Sequence, residues 1–198
     1  MNATGLVGAL AHAIDGPADG RVTLADLVAR LETRGYGMLL FLFAAPNLTP
    51  GPSIPGFSTV FALPLAAVAF QMALGIAHPR LPAFLGRLGL ARSRARSILS
   101  QIERPLAQVE RLFRPRWPLL CGPAAQRWIG AVAILEAGLL VLPLPVLPLV
   151  PSTALIVLSL GLLAHDGRAV ALGLAFCALA AGLFAAALVL GASALGLA

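Results

Sequence analysis

Between two apolar runs of the chain lies Asn47-Leu48-Thr49-Pro50-Gly51-Pro52-Ser53-Ile54-Pro55-Gly56, a stretch that no continuous α-helix can cross. Its prolines lack the backbone N–H group that a helix uses, and its glycines permit turns. A second stretch of this kind lies downstream, Pro143-Leu144-Pro145-Val146-Leu147-Pro148-Leu149-Val150-Pro151. Irregular backbone at membrane depth is stable only where it is buried in protein or lines a wet cavity. The two stretches therefore predict either buried breaks within membrane hairpins or tight turns outside the membrane that join tilted spans.

The apolar runs around these breaks have unequal lengths. They cover residues 36–46, 57–77, 128–142, 149–164 and 169–197. At about 1.5 Å per residue the first run extends only about 17 Å, which is too short for a hydrocarbon core of about 30 Å. Residues 39–75 and 133–163 each read as a short helix, a Pro-rich break and a helix, so we interpret them as two copies of one plan. Interrupted segments in corresponding halves of a chain indicate a binding site near the bilayer midplane.

The composition excludes a soluble globular protein. Hydrophobic residues make up 59% of the 198 residues, charged residues 11%, and the mean hydropathy is +0.92, whereas soluble proteins average about 25% charged residues. The 14 basic residues are all arginines, and ten of them lie between residues 78 and 127. A basic segment between apolar runs predicts a cytoplasmic membrane loop, and no nucleic-acid module accompanies it. The predicted fold class is all-α, a polytopic helical membrane protein with two re-entrant or broken-helix hairpins.

Four segments follow from these patterns. Residues 1–34 are an N-terminal arm and an interfacial helix, which Thr23 caps with Asp26 at the capping-box position. Residues 35–77 are the first membrane hairpin and residues 78–127 an Arg-rich cytoplasmic helical loop. Residues 128–198 are the second hairpin and a C-terminal transmembrane segment.

The last apolar run is long rather than short. As one helix it would extend about 44 Å, which predicts a strong tilt or a fold-back at Gly182. Asp166, in the polar turn before this run, is expected to cap the final helix. Small residues along the run suit close packing of another helix, within the bundle or in a homodimer.

Glu136 is an acidic residue in the middle of an apolar run. A carboxylate in the membrane costs several kcal/mol unless it is paired or hydrated, so it is a candidate for function. Desolvation favours its protonated form, which lets it hold a proton near neutral pH. Alternatively Glu136 binds backbone amides freed by the breaks, and Asn47 likewise either coordinates a ligand or satisfies broken backbone. The predicted ligand or ion pathway comprises Pro46, Asn47, Gly51, Glu136, Pro143 and Pro145.

Three arginines near the mouth of the second hairpin are candidates for contact with an anionic headgroup: Arg114, Arg116 and Arg127. Each arginine near an anionic leaflet contributes about 1 kcal/mol, but such residues can also serve only to fix topology. Enzyme motifs are absent, since the chain has no lysine and its three histidines form no metal-binding spacing. We expect no catalytic residue, no cofactor and no metal.

Several short motifs occur in a defined order over about residues 24–173. They are Ala45-Pro46-Asn47, Pro50-Gly51, Gly56-Phe57-Ser58-Thr59, Leu63-Pro64-Leu65 with Gln71 and Gly75, Pro79, Leu81-Pro82, Glu110-Arg111, Arg114-Pro115-Arg116, Leu142-Pro143-Leu144-Pro145, Pro151, Ala154, Leu160-Gly161-Leu162 and Asp166-Gly167. Together they resemble the ExoD family of bacterial inner-membrane proteins. The resemblance implies a role in exopolysaccharide production and in envelope or alkaline tolerance, without an established biochemical activity.

The chain departs from the family pattern at two places. Pro79-Arg80 stands where the family often has Pro-Trp, and Leu147-Pro148 stands where the second hairpin often has Gly-Asn. The second departure leaves Asn47 without a counterpart in the other hairpin.

The leading hypothesis is a non-enzymatic, multi-pass inner-membrane protein that supports exopolysaccharide synthesis or export. It would bind or transport an anionic lipid-linked intermediate such as a polyprenyl phosphate, with Glu136 cycling a proton. One alternative is a scaffold or regulatory subunit that binds polysaccharide synthesis or export proteins. Another is an ion or proton antiporter that acts in alkaline tolerance. Membrane lipids are the expected partners, a second copy of the chain and polysaccharide synthesis or export proteins are further candidates, and nucleic acid is not expected.

Overall fold

Helices account for most of the chain that the structure describes. This computed structural model describes residues 8, 11–12, 14–15, 20–31, 34–48, 56–81, 86–87, 89–97, 99–100, 117–142 and 149–194. Among the described residues, the α-helices with defined bounds are α1 (Leu24–Leu31), α2 (Gly35–Ala44), α3 (Phe57–Ala73), α4 (Pro123–Val141), α5 (Leu149–Leu163) and α6 (Gly167–Ala194), with 3-10 helices at Ala45–Leu48 and Pro118–Cys121. Residues 92–97 of the Arg-rich segment are also helical. The prediction of an all-α architecture is confirmed at this level.

The N-terminal helix begins as predicted. The Thr23 backbone N–H and hydroxyl both donate to Asp26 Oδ2, at 3.1 and 2.7 Å, and the Asp26 backbone N–H donates to Thr23 Oγ1 at 3.2 Å. This is a capping box with aspartate in place of glutamate. The structure also has two short strands that the sequence did not predict. Strand β1 (Arg21–Thr23), directly before α1, pairs antiparallel with β2 (Gly89–Ala91).

The first hairpin has a longer first arm and a shorter second arm than predicted. Helix α2 continues into the 3-10 helix at Ala45–Leu48, so the helical backbone passes Pro46 before the break. Helix α3 stops at Ala73, before the predicted end of the apolar run, because Gly75 adopts φ 74°. The Gly75 N–H then bonds the Met72 carbonyl at 3.0 Å and the Ile76 N–H bonds the Gln71 carbonyl at 3.1 Å. This pair of bonds is a Schellman cap.

The second hairpin begins earlier than predicted. Helix α4 begins at Pro123 rather than Trp128, because Gly122 is extended and proline suits the first helical position. Helix α5 ends in the same kind of cap as α3, with the Asp166 N–H bonded to the Gly161 carbonyl at 2.9 Å.

The turn between α5 and α6 joins two caps. In the Schellman cap of α5 the left-handed position is held by His165, with φ 51°. The Arg168 N–H donates to Asp166 Oδ1 at 2.9 Å, so the predicted cap of the last helix is confirmed.

Of the two alternatives for the last apolar run, the structure shows an unbroken helix and no fold-back at Gly182. Helix α6 runs without interruption for 28 residues through this position. No atom lies within 4 Å of where a Gly182 side chain would begin, so nothing pushes the helix to bend there. A single glycine costs a helix only about 1 kcal/mol, and the neighbouring alanines and leucines are strong helix formers.

The helices pack so that each hairpin contacts the other. Helix α2 packs on α3 and α5, α3 packs on α4, α4 packs on α5 and α6, and α5 packs on α6. Glycines allow the closest approaches: a side chain at Gly37 would begin 3.0 Å from the Ser159 carbonyl oxygen, and one at Gly173 would begin 2.6 Å from the Leu158 Cα. Gly173, one of the small residues of the last apolar run, therefore packs against α5 within the bundle.

These contacts give the bundle two distinct ends. At the first, which we name the polar end, lie residues 34–37, 73–81, 117–130 and 159–170. The Tyr36 hydroxyl donates to the Ile76 carbonyl at 2.7 Å there, and Gly161 lies against Val170. At the second, which we name the break end, lie residues 44–48, 56–59, 139–142 and 149–152. The helix ends that flank the two Pro-rich breaks are at the break end, and residues 49–55 and 143–148 themselves lie outside the described residues.

In the described ranges of the chain, two helices are long and apolar enough to cross a membrane. They are Pro123–Val141, with a mean hydropathy of 1.4, and Gly167–Gly191, with a mean hydropathy of 2.4. In the most apolar 18-residue part of each helix, only 33% and 22% of the residues, respectively, are buried. Large apolar side chains point outward from several helices, including Val60 at 65% exposure, Trp128 at 77% and Leu190 at 69%. Helices that are apolar on their outer faces suit a lipid environment better than water.

Candidate functional site

The Glu136 carboxyl group is fully buried in the bundle. It lies on the face of α4 that also carries Ile129, Ala133 and Leu140, and its exposure is 0%. Among the residues that the structure describes, neither carboxyl oxygen has a hydrogen-bond partner. The Cys177 thiol of α6 lies within electrostatic range of it. The group is therefore a buried, unpartnered acid between two apolar helices.

Asn47 lies at the last helical turn before the first break. Its side chain is also 0% exposed. Its Nδ2 donates to the Phe43 carbonyl oxygen at 3.3 Å, while its Oδ1 has no partner. The amide thus satisfies one backbone carbonyl near the break and leaves one acceptor unused. Pro46 beside it is half-buried within the 3-10 helix.

Ser152 is a buried polar residue that the sequence analysis missed. Its exposure is 0% and its Oγ has no partner. Other hydroxyls of α5 bond the helix backbone, with Thr153 donating to the Leu149 carbonyl and Ser159 to the Ile156 carbonyl, both at 2.7 Å. The available signal was a Ser-Thr pair in the first turn after each break, since Ser58-Thr59 opens α3 in the same way.

Asn47 and Ser152 belong to the same helix contact. Gly37 near the start of α2 lies against the Ser159 carbonyl near the end of α5, so these helices run antiparallel. Ser152 is seven residues before Ser159 and therefore lies two turns away on the same face of α5. The 3-10 helix that carries Asn47 also contacts α5.

The remaining predicted pathway residues are in the breaks. Gly51, Pro143 and Pro145 lie outside the described residues, so their place in the pathway stays a prediction. Arg114 and Arg116 lie outside them as well.

Arg127 is at the polar end, exposed on the first turns of α4. Its guanidinium lies over Gly75, where a side chain would begin 2.9 Å from Arg127 Nη2. A cation is favourable at the C-terminal end of a helix, which here is the end of α3. Arg127 thus has a structural partner in the bundle while remaining accessible.

Other charged and aromatic groups gather around the start of α6. The Arg168 guanidinium lies 5.6 Å from the ring centre of Trp117, a cation–π contact. Burial, and secondarily the Arg34 guanidinium, lowers the pKa of His165 below its ordinary value. Burial, and secondarily the Asp166 carboxylate, raises the pKa of the Cys121 thiol. Within the described residues, no three His, Cys, Asp or Glu side chains converge as a metal site.

Comparison with known proteins gives the chain a family. A family model described as "Exopolysaccharide synthesis, ExoD" matches residues 6–186. Protein ExoD of Rhizobium meliloti is 31% identical over 159 residues, which are 78% of this chain and 65% of that protein, less than two thirds of its length. An uncharacterized protein of Synechocystis sp. is 25% identical over 159 residues, which are 80% of this chain and 74% of that protein. No solved structure matches this one. Since the family match extends over nearly the whole sequence, the chain belongs to the ExoD family, which is implicated in exopolysaccharide synthesis.

Proposed function

We propose that the chain is a multi-pass protein of the bacterial inner membrane that binds or transports an anionic lipid-linked intermediate of exopolysaccharide synthesis. The observation that carries this proposal is Glu136, a carboxyl group at 0% exposure with no hydrogen-bond partner. Burial of such a group in an apolar bundle costs folding free energy, so a buried carboxyl group in a membrane protein usually has a function. The proposal includes no catalytic step and no cofactor.

Glu136 would exchange a proton as the substrate moves. Its protonated form is neutral and suits the apolar surroundings, whereas its ionised form needs water or a cation. It is nine residues from Arg127 along α4, about 13 Å at 1.5 Å per residue. If Arg127 lies at the membrane boundary, Glu136 lies close to the middle of a core about 30 Å thick.

The packing supports the interpretation of two membrane hairpins as one repeated plan. If the two hairpins are copies, α2 corresponds to α4 and α3 corresponds to α5. The contact between α2 and α5 then corresponds to the contact between α4 and α3, and both contacts are present. In addition α3 and α5, the second helices of the two hairpins, end in the same kind of cap. We propose that the hairpins enter from one side and return to it, with their breaks meeting inside the bilayer.

The polar end would face the cytoplasm. Arg34, Arg80, Arg127 and Arg168 are all at this end, and an excess of arginine marks the cytoplasmic side of membrane proteins. An anionic headgroup would first meet these guanidinium groups and then approach the buried polar groups from the polar end.

The test is a Glu136→Gln variant expressed in a strain that lacks the native gene. We expect exopolysaccharide output and growth at alkaline pH to fall to the level of the empty strain, while the protein still reaches the membrane. Leu135→Met, at an exposed neighbouring position, is the matched control and should behave like the wild type. Normal output from the Glu136→Gln variant would overturn the proton-exchange role.

A proton antiporter is the second candidate. It is favoured by the chemistry of the unpartnered atoms, since the oxygens of Glu136, Asn47 and Ser152 can all accept a hydrogen bond or coordinate a cation, and the Glu136 carboxylate can also bind a proton. A phosphate group would need donors instead. An antiporter would dissipate a pH gradient in vesicles without any added lipid substrate, and the lipid-handling protein would not.

A further inference from the structure

A cavity of about 660 Å³ lies at the polar end between α1 and the segment that follows α3. Within the described part of the chain, it is lined by Ala25, Val28, Ala29, His78, Pro79 and Leu81. We name it the interfacial cavity. Its size is that of a small-molecule site, and sites of this kind are mostly apolar with a few polar groups.

The wall on the α1 side is apolar because of helical spacing. Ala25, Val28 and Ala29 are related by one turn and therefore share one face of α1. The two alanines leave the volume open, since larger side chains at these positions would fill it. The acidic group on this helix, Asp26, is held by hydrogen bonds from Thr23.

The opposite wall is held firmly to the bundle. Pro79 is buried, and a side chain at Gly35 would begin 3.1 Å from Pro79 Cγ and 3.4 Å from Val28 Cγ1. The next residue, Arg80, has its N–H bonded to Gln71 Oε1 at 2.7 Å and its carbonyl to Gln71 Nε2 at 2.9 Å. This bracing fixes the wall, while the Arg80 side chain remains exposed.

One polar residue is in the lining, and two arginines are next in sequence to residues at its walls. His78 is in its lining, Arg80 follows the lining residue Pro79, and Arg34 precedes Gly35, which lies between the two walls. Guanidinium groups recognise phosphate, and an apolar wall suits the first carbons of lipid chains.

We propose that the interfacial cavity binds a lipid with a phosphate headgroup, whose phosphate contacts Arg80 and His78 and whose first tail carbons lie on the apolar wall of α1. The inference rests on the proposed function and names where its lipid first binds. It involves none of the groups around Glu136.

Native mass spectrometry of the purified full chain tests the proposal with three probes: dioleoylphosphatidic acid, dioleoylglycerol, which has the same tails without phosphate, and inorganic phosphate. We expect phosphatidic acid to remain bound and the other two to bind at least tenfold more weakly. Ala29→Leu should reduce phosphatidic acid binding about tenfold, because leucine fills the cavity, and leucine is a strong enough helix former to keep α1 intact. Ala178→Leu, at an exposed position on α6, is the matched control and should bind normally.

Arg80→Gln should weaken phosphatidic acid binding and leave dioleoylglycerol binding unchanged. Equal binding by Ala29→Leu and the wild type would overturn the proposal, and so would equal retention of inorganic phosphate, which would indicate a site for the free anion. If Ala29→Leu fails to fold, a photoreactive phosphatidic acid on the wild-type chain gives the answer. Crosslinks in residues 24–31 or 76–81 support the cavity, and crosslinks confined to other residues exclude it.

The experiments distinguish an error in the assignment of the interfacial cavity from an error in the proposed function. Glu136→Gln should bind phosphatidic acid as the wild type does while exopolysaccharide output is lost. If the cavity variants bind normally and Glu136→Gln still abolishes output, only the cavity assignment falls.

Discussion

Gly130 of α4 lies directly on the backbone of α3, so that a side chain there would begin 2.8 Å from the carbonyl oxygen of Ala69. Contacts this close leave no room for even a methyl group. They hold the second hairpin against the first at the polar end, and the orientation of Glu136 six residues further along α4 depends on them.

Gly130→Ala should therefore separate the two hairpins. Because the nearest obstacles are backbone atoms that cannot rotate away, we expect a loss of about 1–3 kcal/mol in the free energy of unfolding. The measurement is unfolding of the purified protein in detergent. Gly138→Ala is the matched control on the same helix, since nothing lies within 4 Å of its added carbon. Equal stability of the two variants would show that α3 and α4 are not packed as described.

Glu136→Met should stabilise the fold while removing activity. Methionine is similar in volume and removes two buried carboxyl oxygens that have no partner. A buried polar group without a partner costs about 1–3 kcal/mol, so the variant should gain a comparable amount. The same unfolding assay, run beside the exopolysaccharide measurement, gives both quantities. A destabilised variant would mean that Glu136 has a bonding partner in the folded protein.

Acidification should destabilise the α5–α6 turn through His165. Burial, and then Arg34, lowers the pKa of this imidazole from its ordinary value of 6.5, so the unfolded chain binds a proton more readily than the folded one. The stability is complete above about pH 6.5 and falls as the pH drops below it. His165→Asn, which tolerates the left-handed backbone, should lose less stability between pH 8 and pH 5 than the wild type. An identical pH dependence in both proteins would contradict this role.

Cysteine labelling tests the orientation. In a Cys177→Ala background, Cys121 should react with a membrane-impermeant maleimide in inside-out vesicles and remain unlabelled in intact spheroplasts. Because burial and Asp166 raise its pKa from the ordinary 9.0, labelling should be slow at neutral pH and accelerate as the pH rises.

A Ser100→Cys variant without the native cysteines is the control. Ser100 is exposed in the basic segment, and its cysteine should label faster from the same side. Labelling of Cys121 from the outer side would reverse the proposed orientation of the polar end.

Several features could be predicted from local sequence because their causes are local. Thr23 and Asp26 form their capping box within a single turn, and the aspartate at 166 caps a helix that begins one residue later. The interior position of Glu136 in an apolar run also predicted its burial. In each case neighbouring residues were sufficient to determine the outcome.

The features that could not be predicted depend on distant parts of the chain. Arg21 pairs with Ala91, which is 70 residues away in the sequence. A three-residue strand is too short to show the alternation of apolar and polar residues from which a strand is predicted. Ser152 and Ser159 are both serines within the apolar run that forms α5. The Ser159 hydroxyl donates to a backbone carbonyl of its own helix, whereas the Ser152 hydroxyl does not. Which hydroxyl is left without a partner depends on how α2 and its 3-10 helix pack on α5.

The difference in length between α5 and its neighbour α6 has a consequence for the surrounding lipid. Fifteen residues of α5 extend about 22 Å, whereas the 28 residues of α6 extend about 42 Å. In the proposed membrane location, a hydrocarbon core of about 30 Å would accommodate α6 by tilting of that helix and would have to thin on the flank where α5 ends. Thinning shortens the apolar distance that a charged headgroup has to travel, which would assist the lipid transport proposed above.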